Sequence, residues 1–413
     1  MFAQLIAIMQ QRELSLDKLF SHEFHFFAPS LSNFGEINLP SAKASLMHEI
    51  LTKCYNAPDN DNYDTLIMDG AFLVHFITPF ANSTFKQYAN KLYDNLKLNF
   101  MRECQRVDLV FDVYIENSLK AATRAKRGKG VRRRVAAETK IPGNWSNFLR
   151  DEKNKQELFS FLAQHLISQS YPEGKIIFIT EQDKVLCNLQ ECMPDSSHEE
   201  ADTRMCLHLQ DALSKGMRYI SVACADTDVL IVLLGIFHRL QSSYNFTDII
   251  FQIPRAKDSI RVGLKSLAER LGQSMCQALP FLHALTGSDT TSAFKNIGKK
   301  KGYDILKTYK DALVPFSSLY MTPFQNITLE MDKFKVIQRF VVLMYAKTSD
   351  LLTVNSERMD MFFKKNQNLD IIPPTENALL QHCKRAIYQT GVWSRCLEPN
   401  QNLPSPSNFG WKR

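Results

Sequence analysis

Long apolar runs are scarce in this chain. The longest uninterrupted one, residues 229–237, spans nine positions, against the roughly 20 that crossing a bilayer takes. No membrane partner is therefore expected. The opening MFAQLIAIMQQ has neither a basic segment nor a small-residue cleavage site, so it does not read as a secretory leader. Paired cysteines are missing as well. Nine cysteines are scattered without a CxxC spacing, which speaks for reduced thiols in an intracellular protein and against a disulfide framework. A zinc set drawn from Cys187, Cys192, His198, Cys206 and His208 would be irregularly spaced, with Cys206 and His208 on different sides of one helix. Core or incidental roles are the expectation for these five.

What is present fits a globular protein. The 413 residues are 45% apolar and 23% charged, enough for one large α/β domain with insertions, or for a catalytic domain plus an appendage. Lys and Arg number 50 against 43 Asp and Glu, a net charge of +7. That mild excess is concentrated. Residues 120–134 hold eight basic side chains in fifteen positions and no acidic one.

Short apolar runs at 63–68, 107–111, 175–180, 219–225 and 249–253 read as strands. Helical patterns at 72–98, 153–169, 196–215 and 265–271 alternate with them. That alternation predicts a parallel sheet with right-handed crossovers, in which function collects at the carboxyl ends of the strands. Three of these runs end in an aspartate: Asp69, Asp112 and Asp226. Ser196-x-x-Glu199 reads as a capping box opening the third helix, so Glu199 is expected to be a cap.

Glu200 and Asp202 stand at the start of that helix, Asp228 two positions past Asp226, and Asp289 in the turn-like LTGSDTTS. Single aspartates at helix starts are common for dipole reasons. Seven carboxylates in one constellation are different: packed together, they repel and raise one another's pKa unless a cation neutralises them. Oxygen donors favour Mg²⁺ or Mn²⁺. Two such ions about 4 Å apart can activate water and stabilise a leaving oxygen in phosphodiester hydrolysis.

The stretches LIMDGAFLVHFI, VDLVFDVYIENSLKAATRAKR, SHEEADTR, VACADTDVLIVLLG and LPFLHALTGSDTTSAFKNIGKKKGYDIL resemble, in order and rough spacing, the motifs of the PIN-like superfamily of the XPG/flap-endonuclease type. The resemblance covers about residues 63–310. Asp202 stands where that family's helix start has a second Glu, and 68 residues precede Asp69, whereas the family's first Asp lies near the chain start.

The resemblance implies a twisted, mainly parallel sheet flanked by helices, with a helix-hairpin-helix-like DNA-binding element and a helical C-terminal extension. It implies an N-terminal helical extension over 1–60 and a nuclease domain over 61–310. A basic arch at 113–150 and a helical hairpin at 279–310 would belong to that domain, and 311–413 would form the helical extension. Metal-ion roles are implied for Asp69, Asp112, Glu200, Asp202, Asp226, Asp228 and Asp289, with two Mg²⁺ or Mn²⁺ ions. Lys120 and Arg127, seven apart and so on one helix face, would contact the scissile phosphate.

Nucleic acid, with DNA favoured over RNA, is the expected partner. Arg124, Lys126, Arg132, Arg133, Arg134, Lys295, Lys299, Lys300 and Lys301 are candidate contacts, since such density neutralises phosphates. The same basic stretch also reads as a nuclear import signal, so a nuclear monomer is expected. SERMDMFF at 356–363 is similar to a sliding-clamp binding box, with Ser where Gln is usual. Two alternatives stand beside the nuclease. One is a catalytically silent nucleic-acid-binding or scaffold protein. The other is a haloacid-dehalogenase-type phosphatase, whose D-x-D motif DTDVL resembles, with Asp226 as nucleophile and Asp228 as general acid.

Overall fold

The computed structural model describes residues 15–52, 63–102, 104–115, 118–121, 130–190, 193–254, 259–364 and 371–411. The chain divides into two compact units, one of residues 51–273 with 393–402, the other of residues 1–50, 274–392 and 403–413. Both are discontinuous in sequence.

The first unit is built on a seven-stranded sheet. Its strands are β1 (Tyr63–Asp69), β2 (Cys104–Val110), β3 (Ile176–Glu181), β4 (Lys184–Cys187), β5 (Tyr219–Ala223), β6 (Asp248–Ile253) and β7 (Ile260–Gly263). The order is β4-β3-β2-β1-β5-β6-β7. Every central pair is parallel, and the edge strands β4 and β7 run antiparallel. The central runs are almost wholly apolar because a parallel sheet is covered on both faces.

The main helices of this unit are α1 (Gly70–Phe76), α2 (Phe85–Asn95), α3 (Glu152–Ile167), α4 (Ala201–Ser214), α5 (Thr227–Ser243) and α6 (Leu264–Leu271). Leu73, Tyr88, Leu92, Leu158 and Leu162 of α1–α3 share one core with Leu66, Met68, Val107, Leu109 and Ile177. Side chains alternate along a strand, so Arg106 and Asp108 face the other way, where α4 lies against β1 and β2. This mainly parallel sheet with flanking helices is the architecture the sequence motifs implied. The expected helix over 72–98 is interrupted: α1 stops at Phe76, and α2 starts only at Phe85, past Pro79.

Where the strand order reverses, between β1 and β5, ligands of open α/β sheets usually bind. Register brings three strand ends level there, with Asp69 opposite Val110 and Met68 opposite Ala223. A late segment closes the unit. His198 Nε2 donates to the Glu398 carbonyl at 2.7 Å, and Ser197 N to the Pro399 carbonyl at 3.0 Å.

The second unit is helical: α7 (Gln273–Leu285), α8 (Lys299–Thr308), α9 (Leu313–Met321), α10 (Asp332–Tyr345), α11 (Val354–Lys364) and α12 (Glu376–Ser394), plus a two-residue ladder of Ser32–Asn33 against Glu36–Ile37. In the clamp-like stretch of α11, Phe362 is buried and packs edge-on against Phe20 at 5.2 Å. Among the described residues, no helix is long and apolar enough to cross a membrane.

Candidate metal centre

Asp69 ends β1 and caps α1, its Oδ1 accepting from Ala71 N at 2.8 Å and Phe72 N at 3.2 Å. Gly70 follows because nothing larger fits: a Cβ there would meet the Phe111 ring at 2.4 Å. Asp69 is half-buried, and its carboxyl is pushed up to about 7. Burial is the largest cause, then the negative charges of Asp112 and Asp226, with the two capping N–H groups pulling the other way.

Asp112 lies two residues beyond β2. Its Oδ1 accepts from Ala201 N at 2.8 Å, so the first N–H of α4 is capped from a neighbouring strand end. The expected capping box is absent, because α4 starts at Ala201 with Glu200 as N-cap and no side-chain cap of its own. Glu199 instead accepts from Ser118 Oγ at 2.7 Å. Glu200 is ion-paired with Lys120. Its Oε2 is buried, with no hydrogen-bonding partner among the described residues, an oxygen suited to a cation.

Asp226 caps α5, accepting from Asp228 N at 3.0 Å, and Asp228 is buried in the first turn. Asp202, Asp226 and Asp228 each offer one oxygen, all within 4.8 Å of one another. Three hard oxygen donors at that spacing fit a divalent cation.

Two further neighbours are Cys224 and Arg204. The Cys224 thiol stands 3.8 Å from Asp69 Oδ2 and accepts from Asp226 N at 3.3 Å. Burial, then the charges of Asp69, Asp202 and Asp226, hold it well above its ordinary range. The Arg204 guanidinium is buried in α4 and donates to the Phe111 carbonyl at 3.2 Å. Burial draws its pKa down to about 10 against the pull of Asp112 and Asp183. Only Arg204's place four residues after Glu200, one turn on, hinted at a shared face.

Asp289 belongs to the second unit. Lys43 Nζ stands 3.5 Å from its Oδ1. A tight loop presents it: Ser288 N donates to Thr291 Oγ1 at 3.0 Å, and Thr291 Oγ1 donates to the Ala284 carbonyl at 2.6 Å. Gly287 has φ +107°, and a Cβ there would strike Ala293 at 2.8 Å.

The basic candidates divide. Arg124, Lys126 and Arg127 lie outside the described residues, as does Cys192. Arg132 bonds Asn154 Oδ1 at 2.9 Å and pairs with Glu157, while the Arg133 and Arg134 side chains are exposed. In the second unit, Lys299 is turned inward. Its ammonium donates to the His283 carbonyl at 2.8 Å and Thr286 Oγ1 at 3.3 Å, which removes it from any phosphate. Lys300 pairs with Glu49 at 2.6 Å, and Lys295 and Lys301 are exposed.

No protein-family model and no curated protein matches the chain. Solved structures do show similarity. The catalytic core of Rad2 in complex with DNA substrate is 12% identical, with TM-score 0.39 over 87% of this chain and 98% of that one. The bacteriophage T5 flap endonuclease, in a pseudo-enzyme-product complex with DNA and metal ions, is 14% identical, with TM-score 0.34 over 81% and 96%. Flap endonuclease-1 from Methanococcus jannaschii is 13% identical, with TM-score 0.34 over 83% and 98%. The side chains, not these likenesses, carry the functional reading.

Proposed function

We propose that this chain is a divalent-metal-dependent nuclease that hydrolyses phosphodiester bonds, with DNA favoured as substrate. The observation that carries the reading is the grouping of Asp202, Asp226 and Asp228 oxygens within 4.8 Å. Half-buried Asp69, whose carboxyl keeps its proton up to about 7, is the cluster's electrostatic neighbour. Carboxylates held this closely are mutually repulsive without a cation, and all-oxygen donors select Mg²⁺ or Mn²⁺.

When bound, two such ions supply Lewis-acid activation of water and charge stabilisation at the leaving oxygen. The protein's own part is placement. Asp69, Asp112, Glu200 and Asp202 would hold one ion and Asp226 and Asp228 would help to hold the second, with Asp202 near enough to serve both. Lys120, ion-paired with Glu200, and Arg127 would contact the scissile phosphate. Arg133 and Arg134 steer the nucleic-acid backbone towards the site.

The test is cleavage of flapped DNA, single-stranded DNA and single-stranded RNA with Mg²⁺ or Mn²⁺, with Asp228→Asn as control. Cleavage by the parent that fails in the variant is expected. No metal-dependent cleavage of any substrate would leave the silent scaffold. Asp226-dependent phosphate release from small phosphoesters would point to the phosphatase.

A further inference from the structure

Against β2, helix α4 carries a seam of charge where an apolar contact is usual. Arg106 and Asp108 are fully buried on β2, an interior strand of the sheet. Arg106 Nε and Nη2 donate to the two Asp108 oxygens at 2.7 and 2.6 Å, and Nη1 donates to Asp211 Oδ2 at 2.6 Å. His208 Nδ1 donates to Asp108 Oδ2 at 2.7 Å. Lys215 Nζ lies 3.1 Å from Asp211 Oδ2.

The charges balance. Two carboxylates face two cations, and burial holds His208 below its usual range, in its neutral form. Such a buried network adds little stability over apolar side chains of the same volume. What it adds is direction. Arg204, His208 and Asp211 are spaced four and three apart, one face of a helix. They meet the Phe111 carbonyl, Asp108 and Arg106 in turn. A slip of one residue moves a helix about 1.5 Å along its axis, which would break every tie. Apolar packing has no comparable register, and a ligand set tolerates only about 0.5 Å of misplacement.

We propose that Arg106, Asp108, His208 and Asp211 are positioning residues. Their seam fixes the axial register of α4 on β2 and so places Glu200 and Asp202 for metal binding. The metal consequence rests on the nuclease reading. The register itself does not.

The test replaces the seam by apolar side chains: Arg106→Met, Asp108→Leu, His208→Leu and Asp211→Leu together. The expected protein melts cooperatively at or above the parent's temperature. Amide exchange in the first turn of α4 speeds up at least about tenfold while α5 is unchanged, and Mn²⁺ affinity falls about tenfold, the usual effect of losing groups that orient metal ligands. First-turn exchange and Mn²⁺ affinity both within twofold of the parent in that folded variant would overturn the proposal.

Should the fourfold variant not melt cooperatively, His208→Leu and His208→Asn decide. Asn keeps a donor for Asp108, so rescue by Asn of the exchange rate lost in Leu is expected, and equal exchange in both overturns the seam. A parent that binds no Mn²⁺ sinks the nuclease reading instead, and exchange alone then judges the register.

Discussion

The ammonium of Lys120 is paired with the carboxylate of Glu200, and both side chains are largely shielded from solvent. Lys120 thus stands at a carboxylate expected to hold a metal ion, so cation and ammonium compete for the same oxygens. Lys120→Ala should tighten Mn²⁺ binding by about threefold, the size of one partly screened ion pair, while lowering cleavage. Titration followed by electron paramagnetic resonance, beside a cleavage assay, reads both. Weaker Mn²⁺ binding in the variant would remove the competition.

Metal should stabilise the fold through the triad. A ligand present at about 100 times its dissociation constant adds about 2.7 kcal/mol. Saturating Mg²⁺ or Mn²⁺ should therefore raise the melting temperature of the parent by several degrees. Asp226→Asn and Asp228→Asn should lose most of that rise, whereas a rise of equal size in both variants would place the ion elsewhere.

Asp69 makes stability depend on pH in a definite direction. Its folded pKa of about 7 lies above the ordinary 3.8. Between those values the unfolded chain releases a proton that the folded one keeps, so raising the pH from 4 through 7 costs the metal-free fold stability. Below 4 both forms are protonated and the difference vanishes. Asp69→Asn has no proton to lose, so its melting temperature minus the parent's should grow from pH 4 to pH 8 in the presence of a chelator. A flat difference would contradict the half-buried, crowded carboxyl. Metal binding must displace that proton, so parent affinity should climb across the same interval.

Gly70 should tolerate no side chain. With a Cβ only 2.4 Å from the Phe111 ring, Gly70→Ala is expected to cost about 1–3 kcal/mol by overpacking. Adding Phe111→Leu should return part of it. Denaturant unfolding of the two variants measures the coupling, and additive losses would show that the ring is not what excludes the Cβ.

Much of the fold was legible because its signals are local. The runs that became β1, β2, β3, β5 and β6 are apolar, and each continuous run is long enough for a strand buried on both faces. The edge strands were not read. β4 follows β3 through Gln182 and Asp183, with Gln182 at φ +53°, a turn without the Asn-Gly or Gly signature that marks hairpins. β7 is only four residues long.

At the site, strand-end and helix-start positions led to Asp69, Asp112, Asp202, Asp226 and Asp228 because one edge of a parallel sheet gathers them. Glu199 misled because Ser-x-x-Glu is a local pattern. The helix start was decided from afar, by Asp112 reaching Ala201 N. Cys224, Lys43 and the Arg106–Asp108–His208 seam gave no warning, since each matters only through partners distant in the sequence.

The clasp of Glu398 and Pro399 on His198 and Ser197 bears on the order of synthesis. The loop that leads into α4 is secured by residues made some two hundred positions later. A ribosome must pass residue 402 before that loop has its backbone partners. A nascent chain, or the product of a message cut short before residue 393, carries Asp69, Asp112, Glu200, Asp202, Asp226 and Asp228 yet lacks the clasp. The backbone partners of the loop that leads to Glu200 and Asp202 are thus among the last parts of the first unit to be made.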